Sequence, residues 1–258
     1  MARTTKPKKI EPAPQVLSFS MVNNGRNYID LSRAASAVNR RFYRQGLNWS
    51  VSHITFTLVG AGTGSVTVSK VPNTWMAAGG WRKAFEHWNR QQMEAMKEAG
   101  AESAIARFRD FKVFLDTAMV NAPTQTSYNT PVSGEILVPH DFQTTAALVT
   151  EGEWEYSEIV IPNQQPDASG SVVDPQEYLL HMVGINNNGG ISRGVIEGYA
   201  DSRAFPQSPD PVSPAIASDN NWMRDMFNVG KDNPQVTENA SDRNDDLPYD
   251  QINYPAGS

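Results

Sequence analysis

The clearest alternation of apolar and polar positions runs from Trp49 to Val59, where Ile54, Phe56 and Leu58 interleave with His53, Thr55 and Thr57. A period of two is that of a half-buried strand. Gly60, Gly62 and Gly64 mark a turn after it, and Val66, Val68 and Val71 predict a return strand, so the segment is expected to form a β-hairpin. After Gly79-Gly80 the period changes. Trp81, Phe85, Trp88, Gln92 and Met96 recur every three or four residues, with Arg82, Lys83, Arg90, Glu94, Lys97 and Glu98 elsewhere around the turn. This predicts an amphipathic helix from Trp81 to Ala99, opened by the two glycines and closed by Gly100.

Further short strands are predicted at Val16 to Val22, Phe111 to Leu115, Glu135 to Val138, Trp154 to Ile161 and Tyr178 to Ile185, with a short apolar piece at Tyr28 to Leu31. Pro, Gly, Asn and Ser turns separate them. About eight short strands, one long helix and no βαβ alternation predict an all-β fold: a single jelly-roll antiparallel sandwich with an inserted helix and extended N- and C-terminal segments. The expected organisation is a basic arm over 1–14, a jelly-roll shell domain over 15–200 and a Pro/Asp-rich extended segment over 201–258. Within that last segment Asn221 to Phe227 reads as a short helix, while the polar stretch beyond Lys231 cannot build a core of its own.

Composition narrows the chemistry. With no cysteine, the chain has no disulfide framework, thiolate nucleophile or cysteine-ligated metal. The first ten residues lack the apolar run of a signal peptide, and no apolar stretch approaches the roughly 18 residues of a membrane span. The expectation is a protein made in the cytosol that does not cross a membrane. Asn48-Trp-Ser50 and Asn239-Ala-Ser241 fit a glycosylation sequon, which has no use without a secretory route.

Charge changes the picture most. Residues 1–120 carry 17 Lys/Arg against 8 Asp/Glu, and residues 121–258 carry 5 against 20, within a net charge of −6. Such polarity presents a basic surface to a polyanion, or lets copies of the chain meet through opposite potentials. Its basic part divides in two. Arg3, Lys6, Lys8 and Lys9 lie on the N-terminal arm, suited to neutralising phosphates without reading bases. Arg33, Arg40, Arg41 and Arg44 are interleaved with Phe42 and Tyr43 and followed by Trp49, a mixture that suits single strands, whose bases stack on rings and guanidinium planes. The competing readings are a solubilising tail for the arm and, for the arginines, a solvated helix face or a contact with acidic groups of another subunit.

Catalytic motifs fare poorly. Gly190-Ile-Ser192-Arg-Gly194 matches the nucleophile elbow, but that motif needs a strand directly before it and a histidine after it, whereas His53, His87, His140 and His181 all precede Ser192. The glycines at 60, 62 and 64 lack dinucleotide spacing. The histidines are too widely spaced for a zinc site, and surface or hydrogen-bonding roles are the default for His53 and His87. Glu151, Glu153, Glu155 and Glu158 offer carboxylates with nothing to select a pair. Asp242, Asp245 and Asp246 lack the calcium-hand pattern, leaving only calcium gathered between subunits. No enzyme, cofactor or metal is expected.

Val71-Pro-Asn-Thr-Trp75, Trp81-Arg-Lys-Ala-Phe85, Trp88-Asn-Arg-Gln-Gln92 and Arg107-Phe-Arg-Asp-Phe-Lys-Val113 resemble the coat proteins of small circular single-stranded DNA viruses. The tail pieces Asn244-Asp-Asp-Leu-Pro-Tyr249 and Tyr254-Pro255 are similar to endings in that group. The resemblance implies a jelly-roll capsid protein that self-assembles into an icosahedral shell, with the arm residues Arg3, Lys6, Lys8 and Lys9 turned inward to a single-stranded DNA genome. It implies a virion location after synthesis in the host cytosol, and a possible passage through the nucleus. The arm departs from the arginine-dense arms of such coats, so Arg33 to Arg44 would have to assist. The readings that compete are a phage or viral accessory structural protein and a lectin-like carbohydrate-binding β-sandwich.

Overall fold

A computed structural model describes residues 16–22, 25–46, 49–58, 60, 63–98, 100, 110–140, 148–149, 154–161 and 176–203, with Trp222, Met223, Met226, Val236 and 238–240. Its elements in chain order are α1 (Leu31–Asn39), α2 (Trp75–Glu98), β1 (Phe114–Asp116), α3 (Thr117–Val120), β2 (Glu158–Ile161), β3 (Gln176–Val183), β4 (Asn187–Asn188), β5 (Ser192–Gly194) and α4 (Val195–Arg203). The basic arm over 1–14, and Asp242, Asp245 and Asp246 of the tail, lie outside the described residues.

This is a mixed α/β fold, which overturns the all-β jelly roll expected from the alternation. Five strands form one mixed sheet around β3. Along one edge of β3, β2 pairs antiparallel with its first half (Glu158 opposite Leu179) and β1 parallel with its second (Phe114 opposite His181). Along the other edge β5 runs parallel (Leu179 opposite Ser192), and β4 lies outside β5, antiparallel to it. The chain thus leaves β3, passes to the sheet's outer edge and returns as β5 between the two. Gly189 and Gly190, with φ of 56° and 78°, permit that reversal because neither carries a Cβ. Two parallel pairs are incompatible with the all-antiparallel ladders of the expected sandwich.

The long helix starts six residues earlier than predicted, and Gly79 and Gly80 lie within it. A Cβ on Gly79 would stand 2.9 Å from the Tyr199 ring, and one on Gly80 3.2 Å from the Val195 carbonyl oxygen. The glycines are a close helix crossing between α2 and α4, not a helix start. Thr74 caps the true start, its Oγ1 accepting from the Ala77 N–H. At the far end Gly100 has φ 69° and its N–H reaches the Lys97 carbonyl, the expected close.

The apolar side of α2 supplies Ala84 and Trp88 to the main core, where they meet Ile159, Tyr178, Leu180 and Met182 of the sheet and Val195 of α4. Trp222, Met223 and Met226, helical where a short helix is predicted, complete this cluster. A second cluster holds Tyr28, Phe114, Met119 and Ile136. The predicted strands at Phe111 to Leu115, Trp154 to Ile161 and Tyr178 to Ile185 are found as β1, β2 and β3 with shifted ends. Val16 to Val22 forms no strand, though the Ser18 carbonyl accepts from the His140 N–H at 2.9 Å. Glu135 to Val138 contributes only isolated bridges, of Ile136 with Tyr28 and Thr124.

The predicted hairpin is the largest departure. Among the described residues of 49–71 there is no strand, and both apolar and polar positions of 50–58 and 63–70 are exposed.

Candidate nucleic-acid interface

The arginine-rich stretch begins as α1. Asp30 caps the helix, its Oδ1 accepting from the N–H groups of Ser32 (3.0 Å) and Arg33 (3.2 Å). Its Oδ2 accepts from the Gln45 amide at 2.6 Å and the Tyr156 hydroxyl at 3.3 Å. Burial raises the Asp30 carboxyl above its ordinary value, against the pull of these donors and of Arg33. Burial, then the Asp30 charge, also raises the Tyr156 phenol.

Arg33 belongs to this interior. It is 7% exposed, and its Nη2 donates to Thr124 Oγ1 at 2.8 Å. It holds α1 to the rest of the fold and is not on the surface where a nucleic acid would lie.

The other three arginines are exposed. Arg40 ends α1 in the left-handed conformation, at φ 50°, with its N–H bonded to the Ser36 carbonyl. A side chain there costs about 1 kcal/mol that glycine would avoid. The loop that follows is fastened to the helix by two serines. Ser36 Oγ accepts from the Tyr43 N–H at 2.8 Å and donates to the Ser32 carbonyl at 2.6 Å. Ser32 Oγ donates to the Arg44 carbonyl at 3.1 Å and accepts from the Trp49 indole at 2.9 Å.

These bonds set the rings. Tyr43 and Trp49 lie with centroids 5.7 Å apart, and the Arg41 guanidinium sits 5.9 Å from the Tyr43 centroid. Phe42 leans on Trp154 at 5.9 Å, and the Lys112 ammonium approaches both rings, at 5.7 and 4.9 Å. Lys112 is buried and paired with Asp110 at 2.9 Å, so it supports the rings without adding free charge. Exposed arginines and edge-accessible rings on one fixed loop suit a flexible anionic strand, which gains both phosphate neutralisation and base stacking.

The structure therefore brings Arg40, Arg41 and Arg44 together and removes Arg33; Arg3, Lys6, Lys8 and Lys9 are outside the described residues. Trp154 and Lys112 were missed by sequence reasoning, because their place beside Phe42 depends on the fold. One available signal is the span between Asp30 and Glu86, which holds seven Lys/Arg and no acidic residue.

Chain order argued against any histidine partner for Ser192, yet the fold supplies one. His181 Nε2–H donates to the Ile185 carbonyl at 2.9 Å, which leaves Nδ1 to accept from Ser192 Oγ at 3.0 Å. Asn188 Nδ2 donates to the same Oγ at 3.1 Å. Burial lowers the His181 pKa and keeps the ring neutral. Both residues have no solvent exposure, and the site is tightly packed: a Cβ on the neighbouring Gly194 would lie 3.1 Å from the Asn186 Cα. The pair pins β3 to β5, with no approach for a substrate.

Among the described residues no cluster of His, Asp and Glu is arranged to hold a metal ion, and no helix is long and apolar enough to cross a membrane. Comparison with known proteins finds no matching family model, no matching curated protein and no matching solved structure.

Proposed function

We propose that this chain is a non-enzymatic, self-assembling structural protein that binds single-stranded nucleic acid, and that it acts as the shell subunit of a small single-stranded DNA virus. The observation that carries the reading is the loop bearing Arg40, Arg41 and Arg44 with Phe42, Tyr43 and Trp49, locked by Ser32 and Ser36. A catalytic loop would need a nucleophile with access, which Ser192 lacks. The capsid role adds the resemblance of residues 71–113 and the division of charge along the chain. It does not depend on the jelly roll, which the fold excludes.

Fluorescence anisotropy with labelled oligothymidine, a duplex and oligouridine, each over a salt series, tests the binding. The single strand is expected to bind more tightly than the duplex. Replacing Arg40, Arg41 and Arg44 by Ser should lower the log–log salt slope by about 2, since three phosphate contacts at about 0.7 each are lost. Arg40→Gly alone should bind more weakly yet stabilise the protein by about 0.5–1 kcal/mol, because glycine relieves the left-handed strain. Binding unchanged by the triple substitution, or none at low salt, overturns the reading of this surface. Equal affinity for oligouridine would assign single strands in general, and electron microscopy of the purified chain with DNA tests for closed particles.

A further inference from the structure

Residues 50–58 and 63–70 form a surface that nothing in the described chain covers. Ile54, Phe56 and Leu58 are 52%, 47% and 54% exposed, and Val66 and Val68 are 53% and 61% exposed. The backbone is equally open: the described residues of this stretch make no main-chain hydrogen bond to any other described residue. An apolar backbone with free hydrogen-bonding groups is a template for strand addition.

The chain's own sheet is not the acceptor. At the β2 edge the Gln91 side chain takes the place of a neighbouring strand, its Oε1 accepting from the Val160 N–H at 3.2 Å and its Nε2 donating to the Val160 carbonyl. At the β1 edge the Val113 N–H is held by Gln45 Oε1 at 2.7 Å, and the Leu115 N–H by the Met119 sulfur. The remaining edge, β4, is only two residues long.

Charge selects what does pair with it. Ser50 to Lys70 contains no Asp, Glu or Arg, and its only fixed charge is Lys70 at its end. A segment without charge gains nothing from the acidic C-terminal half or from a polyanion. It also offers no repulsion to an identical segment, and Thr, Val and Ile give it the β-branched composition that pairs with itself. We infer that residues 50–70 are a self-pairing interface, each copy's segment adding strand to strand with the same segment of a second copy. Ile54, Phe56, Leu58, Val66 and Val68 then face one another across a two-fold contact.

This inference rests on the self-assembly part of the proposed function, and the experiment separates the two. The full chain and the variants Phe56→Lys with Val68→Lys and Phe56→Leu with Val68→Ile are compared by light scattering over a wide range of concentration and by electron microscopy, with circular dichroism as a check of folding. The exposed positions leave the core intact, so all three should share one spectrum. The lysine variant is expected to associate at least about a hundredfold more weakly, through two uncompensated charges and two lost apolar contacts, while the conservative variant keeps wild-type assembly. Closed particles that persist in the lysine variant overturn the interface and leave the shell reading standing. Dimers lost in the lysine variant, with no particles from the wild type, support the interface and count against the shell. A wild type that stays monomeric overturns the interface.

Discussion

Two stretches of this chain carry the composition of a strand, and they meet opposite fates. Gln176 to Val183 becomes β3, flanked on both edges, with Leu180 and His181 fully buried. The stretch from Ser50 to Leu58, which carries the more regular alternation, lies on the surface without a strand partner among the described residues. The difference teaches that alternation states a requirement, one face covered and both edges bonded, without saying where the partner comes from. For β3 the chain itself supplies it, through β1 and β2 along one edge and β5 along the other. For 50–70 the described chain supplies none.

The comparison breaks most visibly on the paired side. Trp222 is buried against the sheet, and its indole N–H donates to the Gly194 carbonyl at 3.0 Å. Trp222→Ala should cost about 3–5 kcal/mol in urea unfolding of the monomer, through the cavity and the lost bond together. A cost under about 1 kcal/mol would mean that this cluster is not the core.

Acid sharpens it next. His87, buried in α2 between Lys83 and Arg90, has its pKa lowered to about 4, first by burial and then by those charges. The unfolded chain takes up its proton near pH 6.5 and the folded one only near 4, so this stability is present above about 6.5 and is lost as pH falls toward 4. About 3 kcal/mol should disappear across that window, and His87→Leu should flatten the profile there; His181, also lowered by burial, contributes in the same direction. A wild-type profile flat between pH 6.5 and 4 would show that His87 is solvated.

A smaller effect comes from the blocked edge. Gln91→Ala leaves the Val160 N–H and carbonyl without their partners and should cost about 1–3 kcal/mol. It also uncovers an edge, so new aggregation of this variant is expected in light scattering. The smallest effect belongs to the unpaired side: Phe56→Ala in the dissociated monomer should change unfolding stability by less than about 0.5 kcal/mol, as for other exposed positions. A loss of several kcal/mol there would place Phe56 in a core and contradict the description of this segment.

The same contrast explains how much could be read from the residues in order. The α2 helix was legible from Trp81 onward because its apolar stripe is self-contained, but its first turns were not. Gly79-Gly80 resembles a break until Tyr199, more than a hundred residues later, is seen to need the space. The positions of β1, β2 and β3 were legible and their pairing was not, since parallel register depends on which strands meet. An arginine's burial is similarly invisible: Arg33 looks like Arg40 and Arg41 until Asp30, Thr124 and Tyr156 enclose it. The His181 and Ser192 pair was hidden by a rule about chain order that applies to one fold only.

Residues 50–58 and 63–70 lack a partner among the described residues and are proposed to find one in a second copy. Hydrogen exchange followed by mass spectrometry on the assembled protein, beside the Phe56→Lys, Val68→Lys variant, tests this directly. The account predicts amides of 50–58 and 63–70 that exchange slowly in the assembly and at the rate of free chain in the variant, while those of β3 stay protected in both. Equal exchange of these amides in the two proteins would contradict it.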